Sequence, residues 1–215
     1  MDLPISTEQQ TKLKDLNKRK EAAVKRVSEL KKTVKTEQLA WENQTLRALK
    51  ESPQWTVLAI EKFNATGDPE HELQKDGSIL VNGKNPDKST YTFQAKSDLK
   101  RITAVRLEAL THPSMNKGGP GRNKVPVENP NFIVNEFQVK TGSKMVKFAS
   151  VKASFSQNRF AVAGSIDNDL KTGWAINPAF GKPAWAIYRL TEPLELKSEA
   201  KLKFTVILNY GGGRT

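Results

Sequence analysis

The chain has no proline or glycine between Pro4 and Pro53, and this gap constrains its fold more than any other feature. Both residue types interrupt helices, so their absence over such a long stretch indicates helix. Ser6 and Gln9 have the spacing of a capping box and predict where the helix begins. The chain is therefore predicted to have two parts, a helical segment over residues 1–52 and a separate domain over residues 53–215.

Apolar residues follow one another along this predicted helix at the alternating three- and four-residue spacing of coiled coils. Basic residues occupy the other faces, and Lys20 interrupts the seam. Because isolated short seams are weak, we expect a helix, or a hairpin turning near Thr33–Thr36, that packs on the domain of the same chain. The alternative is an oligomerising coiled coil. The seam positions are Leu13, Leu16, Lys20, Ala23, Val27, Leu30 and Val34.

After Pro53 the sequence changes to short segments rich in β-branched and aromatic residues. These segments alternate roughly between apolar and polar residues and are separated by Gly, Pro, Asn and Asp clusters, which is the pattern of antiparallel strands. No helical periodicity separates them. The sequence therefore predicts a mainly β fold, an antiparallel sandwich or jelly roll. Examples of the segments are "SILVNG", "STYTFQAKS", "NFIVNEFQVKTG" and "KLKFTVILNY".

Composition excludes several kinds of site. Cysteine is absent and there are only two histidines, which removes disulfides, thiolate nucleophiles and histidine-rich metal centres. No phosphate-binding loop, nucleophile elbow or paired-histidine motif occurs, so we do not expect an enzyme. No apolar run has the length of a membrane span, and the first residues lack the features of a signal peptide. The net charge of +12 favours a polyanionic partner, whether nucleic acid, acidic polysaccharide or anionic lipid.

A polar cluster, the Asp–Thr loop (residues 167–172), stands just before Trp174. Asp167, Asp169 and Thr172 are hard oxygen donors at short spacing, and with backbone carbonyls they could gather the oxygen ligands that Ca²⁺ prefers. The same residues also form Asx turns, in which the carboxylates accept backbone N–H groups and close the loop. Spacing alone favours the Asx turns over the Ca²⁺ site.

The motif "SIDNDLKTGWAI" resembles a signature of discoidin, or coagulation factor five/eight type C, domains, which are galactose-binding-like β-sandwiches. More specifically, most of residues 55–215 resembles the sandwich module of planctomycete cytochrome-c-type surface proteins, and a basic helix ending near "AWEN" resembles the region before it. The resemblance implies a galactose-binding-like jelly roll in an extracytoplasmic protein. It also implies a further strand after "NYGGGRT" and, in calcium-binding relatives, a C-terminal acidic ligand. Other matching stretches are "DGSILVNGKNPDKSTYTF", "ITAVRLEALTHPSMNKGGPGR" and "NFIVNEFQV".

Discoidin-like sandwiches bind ligands through loops and rarely catalyse, so the resemblance implies a non-catalytic carbohydrate-binding module. Because the chain is basic, we expect an anionic polysaccharide, sulfated or carboxylated. The loop at residues 112–131 is long and rich in Gly and Pro, and loops of this kind often carry function. It and the region from Trp174 onward supply the candidate ligand residues, which are His112, Lys117, Arg122, Asn123, Trp174, Asn177 and Lys182.

Some of these candidates have an alternative role. Trp174 is either an aromatic platform for a sugar or a core residue under the Asp–Thr loop. Arg122 either binds the ligand or holds its own loop in place. Lys117 either binds the ligand or is simply a solvated side chain. For the whole protein, the alternative is a structural module that braces other domains of a larger redox protein without a free ligand. Nucleic acid is the least favoured partner, because regularly spaced strand aromatics and a groove-reading helix are missing.

Overall fold

The computed structural model of the chain describes residues 6–50, 54–122, 129–212 and 215. The chain divides into two compact units, Met1–Thr56 and Val57–Thr215. The first unit contains one long helix, and the second is built of antiparallel strands. The predicted mainly β class with an N-terminal helix is therefore confirmed.

The helix α1 runs without interruption over Thr7–Lys50. The predicted capping box is present, because Ser6 N–H donates to Gln9 Oε1 at 2.9 Å and Gln9 N–H donates to Ser6 Oγ at 3.2 Å. The helix continues through Thr33 and Thr36, whose hydroxyls donate to carbonyl oxygens four residues earlier, so the continuous form is adopted rather than the hairpin. In the described part of the chain, no helix has the length and apolar content to cross a membrane.

The leucine and valine side chains of the α1 seam are about half exposed. Their exposed fractions range from 50 % at Leu16 to 57 % at Val34. Each apolar side chain at these positions therefore leaves much of its surface in water, which is a cost that a packing partner would remove. That this partner is the β domain of the same chain stays a prediction.

The described part of the second unit contains ten strands, paired antiparallel throughout. The strands are β1 (Ile60–Ala65), β2 (Glu70–Leu73), β3 (Ile79–Asn82), β4 (Ser89–Ser97), β5 (Arg101–Ala109), β6 (Glu136–Thr141), β7 (Lys144–Met145), β8 (Phe148–Ala153), β9 (Ala184–Glu195) and β10 (Ala200–Leu208). A five-stranded sheet has the order β1–β4–β10–β6–β7, a three-stranded sheet has the order β5–β9–β8, and β2 pairs with β3.

The two larger sheets share one hydrophobic core. Phe137 on β6 and Tyr188 on β9 belong to different sheets, and their ring centroids are 4.4 Å apart. Tyr188 is fully buried, and its hydroxyl lies 3.0 Å from Ser165 Oγ. Two antiparallel sheets packed in this way form a β-sandwich. The finer jelly-roll arrangement stays a prediction.

Candidate functional site

The Asp–Thr loop closes on itself through two Asx turns. Asp167 Oδ1 accepts the backbone N–H of Asp169 at 2.9 Å, and Asp169 Oδ1 accepts the backbone N–H of Lys171 at 2.9 Å. These are the hydrogen bonds expected of the Asx-turn alternative. They also leave the second carboxylate oxygen of Asp167 facing Thr172, where its Oδ2 lies 2.8 Å from the hydroxyl oxygen.

The hydroxyl of Thr172 is surrounded by more oxygen atoms than its single proton can serve. Its Oγ1 lies 2.9 Å from Asp167 Oδ1, 2.9 Å from the carbonyl oxygen of Asp169 and 3.1 Å from that of Gly164. A hydroxyl donates only one hydrogen bond, so the remaining close oxygen pairs have no proton between them. Carboxylate, hydroxyl and carbonyl oxygens together are a ligand set suited to Ca²⁺. The loop therefore forms Asx turns and also brings together the oxygen types that a hard cation uses.

A third carboxylate lies beside the loop. Glu136, at the start of β6, is only 4 % exposed, and its Oε1 accepts the backbone N–H of Asn168. Burial raises the pKa of the Glu136 carboxyl, the bond from Asn168 opposes this rise, and the charge of Asp167 adds to it. Over the described ranges, no ion pair joins these acidic residues to a lysine or arginine. A bound cation would offset their negative charge.

The acidic side chains are too few to make a metal centre by themselves. Among the residues that the structure describes, no group of three His, Cys, Asp or Glu side chains is placed to hold a metal ion. A cation at the Asp–Thr loop would therefore depend on Thr172 Oγ1 and on backbone carbonyl oxygens as well as on Asp167.

Trp174 is a core residue, and its predicted role as a sugar platform is corrected. The residue is fully buried, and its Nε1–H donates to the carbonyl oxygen of Phe155 at 2.8 Å. Its ring meets that of Phe132 edge to face, with centroids 4.9 Å apart. The preceding Gly173 permits this position, since a Cβ there would lie 2.9 Å from the carbonyl oxygen of Val134. A ring enclosed in this way offers no face to a ligand.

Arg122 ties down its own loop, and its predicted role in ligand binding is also corrected. The residue is 8 % exposed. Its Nη2 donates to the carbonyl oxygens of Asn82 at 2.9 Å and Lys84 at 2.6 Å, and its Nη1 donates to the Tyr91 hydroxyl at 3.1 Å. The guanidinium is thus engaged with protein acceptors and holds the end of the 112–122 segment against the connection that follows β3.

Two other loops meet at the surface, and we call them the loop pair (residues 112–119 and 177–182). Gly181 donates its backbone N–H to the carbonyl oxygen of Gly119 at 3.1 Å. Within the first loop, the N–H of His112 donates to the carbonyl oxygen of Gly118 at 3.2 Å. The second loop follows the buried residue Ile176, so the core fixes the point where it begins.

Four of the candidate ligand residues lie on the loop pair. Lys117, Asn177 and Lys182 are exposed, and His112 is half-buried. The imidazole of His112 is partly engaged, because its Nδ1 accepts the backbone N–H of Ser114 at 3.2 Å and lies 2.7 Å from the Ser114 hydroxyl. The remaining candidate, Asn123, lies outside the described residues.

Asn135 connects the Asp–Thr loop to the sandwich, and sequence reasoning missed it. It is fully buried, and its Nδ2 donates to the carbonyl oxygens of Leu170 at 3.0 Å and Thr172 at 2.6 Å. Its Oδ1 accepts the N–H of Asn209 at 2.6 Å, at the end of β10. The available signal was an amide residue directly after the apolar run "FIV", where a buried polar group needs specific partners.

No protein-family model, curated protein sequence or solved structure matches this chain.

Proposed function

We propose that the protein is a non-catalytic carbohydrate-binding module, a galactose-binding-like jelly roll whose ligand is an anionic polysaccharide, sulfated or carboxylated. The observation that carries this proposal is the loop pair. Besides the hydrogen bond from Gly181 to Gly119, a Cβ on Gly181 would lie 3.5 Å from the carbonyl oxygen of Lys117. Lys117 and Lys182 therefore stand on adjoining backbone segments, with the exposed amide of Asn177 on the same loop as Lys182.

The chemistry of these side chains suits a charged sugar polymer. Lysine ammonium groups attract sulfate or carboxylate, and the Asn177 amide can both donate to and accept from sugar hydroxyls. Exposed ionic contacts contribute only about 0.2–1 kcal/mol each, so one charged sugar would bind weakly. A polymer supplies many such contacts at once, which favours a polysaccharide over a small anion. Such a ligand agrees with an extracytoplasmic location.

We further propose that Ca²⁺ binds the Asp–Thr loop as a structural ion. Asp167 and Thr172, with the carbonyl oxygens of Gly164 and Asp169, would hold it. The loop leads through the buried residues 174–176 directly into the second loop of the loop pair. An ion bound at the Asp–Thr loop would therefore restrict the motion of the second loop of the loop pair. The ion itself would not contact the sugar.

The test compares binding of dextran sulfate, carboxymethyl dextran and uncharged dextran to the full chain. The variant Lys117→Gln/Lys182→Gln removes two charges from the loop pair, and Lys25→Gln/Lys32→Gln removes two charges from α1 as a matched control. We expect the charged polymers to bind, and the loop variant to weaken binding about two- to thirtyfold relative to the control. Equal losses in both variants would show that net charge alone is responsible.

The second candidate function is a structural module that braces a larger protein. The half-exposed apolar seam of α1 favours it, because such a seam suits a partner helix or domain. Absence of binding to all three polymers would make this function the better account. Binding that is lost in the loop variant would favour the carbohydrate-binding module.

A further inference from the structure

Lysine residues are concentrated on the outward side of the five-stranded sheet. On β10, Leu202, Phe204 and Val206 are buried, so the alternation of side chains along a strand directs Lys201 and Lys203 to the opposite, solvent side. Both lysines are exposed. The pairing of β10 with its neighbours then determines which other side chains share this side of the sheet.

The strand register aligns these side chains in rows that cross the sheet. Lys203 lies opposite Gln94 on β4 and opposite Lys140 on β6, and Gln94 lies opposite Lys62 on β1. Neighbouring strands are about 4.8 Å apart, so this row extends roughly 14 Å from Lys62 to Lys140. In the next row, Lys201 lies opposite Lys96. We call this surface the lysine face, which consists of Lys62, Lys96, Lys140, Lys201 and Lys203.

The lysine face contains two directly opposed pairs of like charge, Lys203 with Lys140 and Lys201 with Lys96. Like charges directly opposite each other across strands are destabilising. One of the five lysines is compensated, since Lys96 Nζ lies 3.2 Å from Glu61 Oε1, and that contact raises the pKa of Lys96. Over the described ranges, no carboxylate is within ion-pair distance of the other four. An anionic ligand would remove this repulsion.

The row beside the lysines is polar and uncharged. Thr205 lies opposite Thr92 on β4 and Gln138 on β6, and Thr92 lies opposite Asn64 on β1. Hydroxyl and amide groups of this kind form hydrogen bonds with sugar hydroxyls and with sulfate oxygens. The rows that contain Lys201, Lys203 and Thr205 present no aromatic ring. Single-stranded nucleic-acid sites, in contrast, stack bases on aromatic side chains. The composition of the face therefore favours a polysaccharide over a single-stranded nucleic acid.

We propose that the lysine face is a second binding site, for a linear anionic polysaccharide that lies across the strands β1, β4, β10 and β6. This inference rests on the proposed function for its ligand class, but it assigns a surface apart from the loop pair. The polymer places sulfate or carboxylate groups near the lysines, while Asn64 and Gln138 hydrogen-bond its hydroxyls. No loop has to rearrange, because the sheet already sets the spacing of the charges.

The test uses the full chain and immobilised dextran sulfate at two salt concentrations. Lys140→Gln/Lys203→Gln removes one of the opposed pairs, Lys140→Arg/Lys203→Arg keeps its charge, and Lys25→Gln/Lys32→Gln is the control on α1. We expect the glutamine variant to bind about two- to thirtyfold more weakly, with a shallower salt dependence, and the arginine variant to retain binding. Melting curves establish that each variant is folded.

Several results would overturn this inference. One is an affinity of the glutamine variant for dextran sulfate that equals the affinity of the α1 control. Another is that an oligothymidylate with the same number of charges binds as tightly as dextran sulfate and is weakened equally by the substitutions at Lys140 and Lys203. The loop variant Lys117→Gln/Lys182→Gln separates the two proposals. If it alone loses affinity, the loop-pair site stands and the lysine face fails. If the lysine-face variant alone loses affinity, the reverse holds, and absence of binding by the wild type rejects both.

Discussion

The side chain of Asn135 holds the carbonyl oxygen of Thr172 at 2.6 Å from its Nδ2 atom. Thr172 is the residue whose hydroxyl lies among the surplus oxygen atoms of the Asp–Thr loop. Because Asn135 also accepts the backbone N–H of Asn209, one buried amide connects this loop to the end of a central strand. The position of the candidate cation site is therefore set by a residue that is not one of its ligands.

Replacing Asn135 with alanine should destabilise the protein strongly. The change leaves the N–H of Asn209 and the carbonyl oxygens of Leu170 and Thr172 without their partner, and each buried unsatisfied group costs about 1–3 kcal/mol. We expect the free energy of unfolding in urea to fall by at least about 2 kcal/mol. The exposed Asn64→Ala is the control and should change it by less than about 0.5 kcal/mol. Equal effects would contradict this role for Asn135.

Calcium should raise the melting temperature of the wild type, because a ligand that binds only the folded state stabilises it. Asp167→Asn should abolish this rise while keeping an Oδ1 atom to accept the N–H of Asp169. Asp76→Asn is the matched control, since Asp76 forms a similar turn by accepting the N–H of Ser78 at 3.0 Å. Identical melting curves with Ca²⁺ and with chelator would leave the Asp–Thr loop as Asx turns alone.

Glu136→Gln should stabilise the protein near neutral pH when a chelator is present. Burial raises the pKa of Glu136, so the folded state binds its proton more tightly than the unfolded state does. Stability is therefore lost as the pH rises from the ordinary carboxyl pKa, about 4.3, through the raised value. Glutamine keeps an oxygen to accept the N–H of Asn168 but has no charge. The loss of stability with rising pH should therefore disappear in this variant.

The measurement is the melting temperature as a function of pH for the wild type, Glu136→Gln and the exposed control Glu72→Gln. The Glu136→Gln curve should lie above the wild-type curve near neutral pH and converge with it in acid. A wild type that is more stable than Glu136→Gln near neutral pH would show that the ionised carboxylate is stabilised by its surroundings.

Local sequence signals identified α1 and most of the strands, but not β2, whose sequence EHEL lacks apolar alternation. The gap in proline and glycine and the pairing of Ser6 with Gln9 identified α1, and apolar alternation identified segments such as Ala200–Leu208 as strands. These signals act between residues close together in the chain. The two sheets, their shared core and the antiparallel pairing are consistent with them.

Contacts between distant residues explain what the sequence did not reveal. The sequence predicts Arg122 as a ligand residue because nothing local shows that its acceptors come from Asn82 and Lys84, roughly forty positions earlier. Asn135 has its partners near residues 170 and 209. Likewise, the lysine face exists only through the register of four strands, and Lys62 and Lys140 are far apart in the sequence.

Arg122→Ala should lower stability without changing polysaccharide affinity in the protein that remains folded. The guanidinium donates to two carbonyl oxygens and one hydroxyl, and hydrogen bonds from charged groups contribute about 1.5–3 kcal/mol each. Arg122→Lys should recover little of the lost stability, because one ammonium group cannot reproduce the planar fork. Urea unfolding and dextran sulfate binding are measured together. A large loss of affinity at unchanged stability would return Arg122 to the ligand site.

Basic residues flank the apolar seam of α1. The charged residues at the coiled-coil e and g positions that flank the seam from Leu13 to Leu30 are all basic, namely Lys12, Arg19, Arg26 and Lys31, while Asn17 and Val24 occupy the other e positions. Two copies packed along this seam would bring those charges together, so we expect the wild type to be monomeric in solution.

Lys20→Leu should make dimers detectable, and more of them at high salt than at low salt. The substitution completes the apolar seam between Leu16 and Ala23, while salt screens the repulsion of the basic flanks. Lys18→Leu adds the same side chain on the face opposite the seam and should remain monomeric. Light scattering at two salt concentrations measures the molar mass of each variant and of the wild type in solution. A wild-type dimer at low salt, or equal dimerisation of both variants, would show that the seam and its flanking charges do not control association.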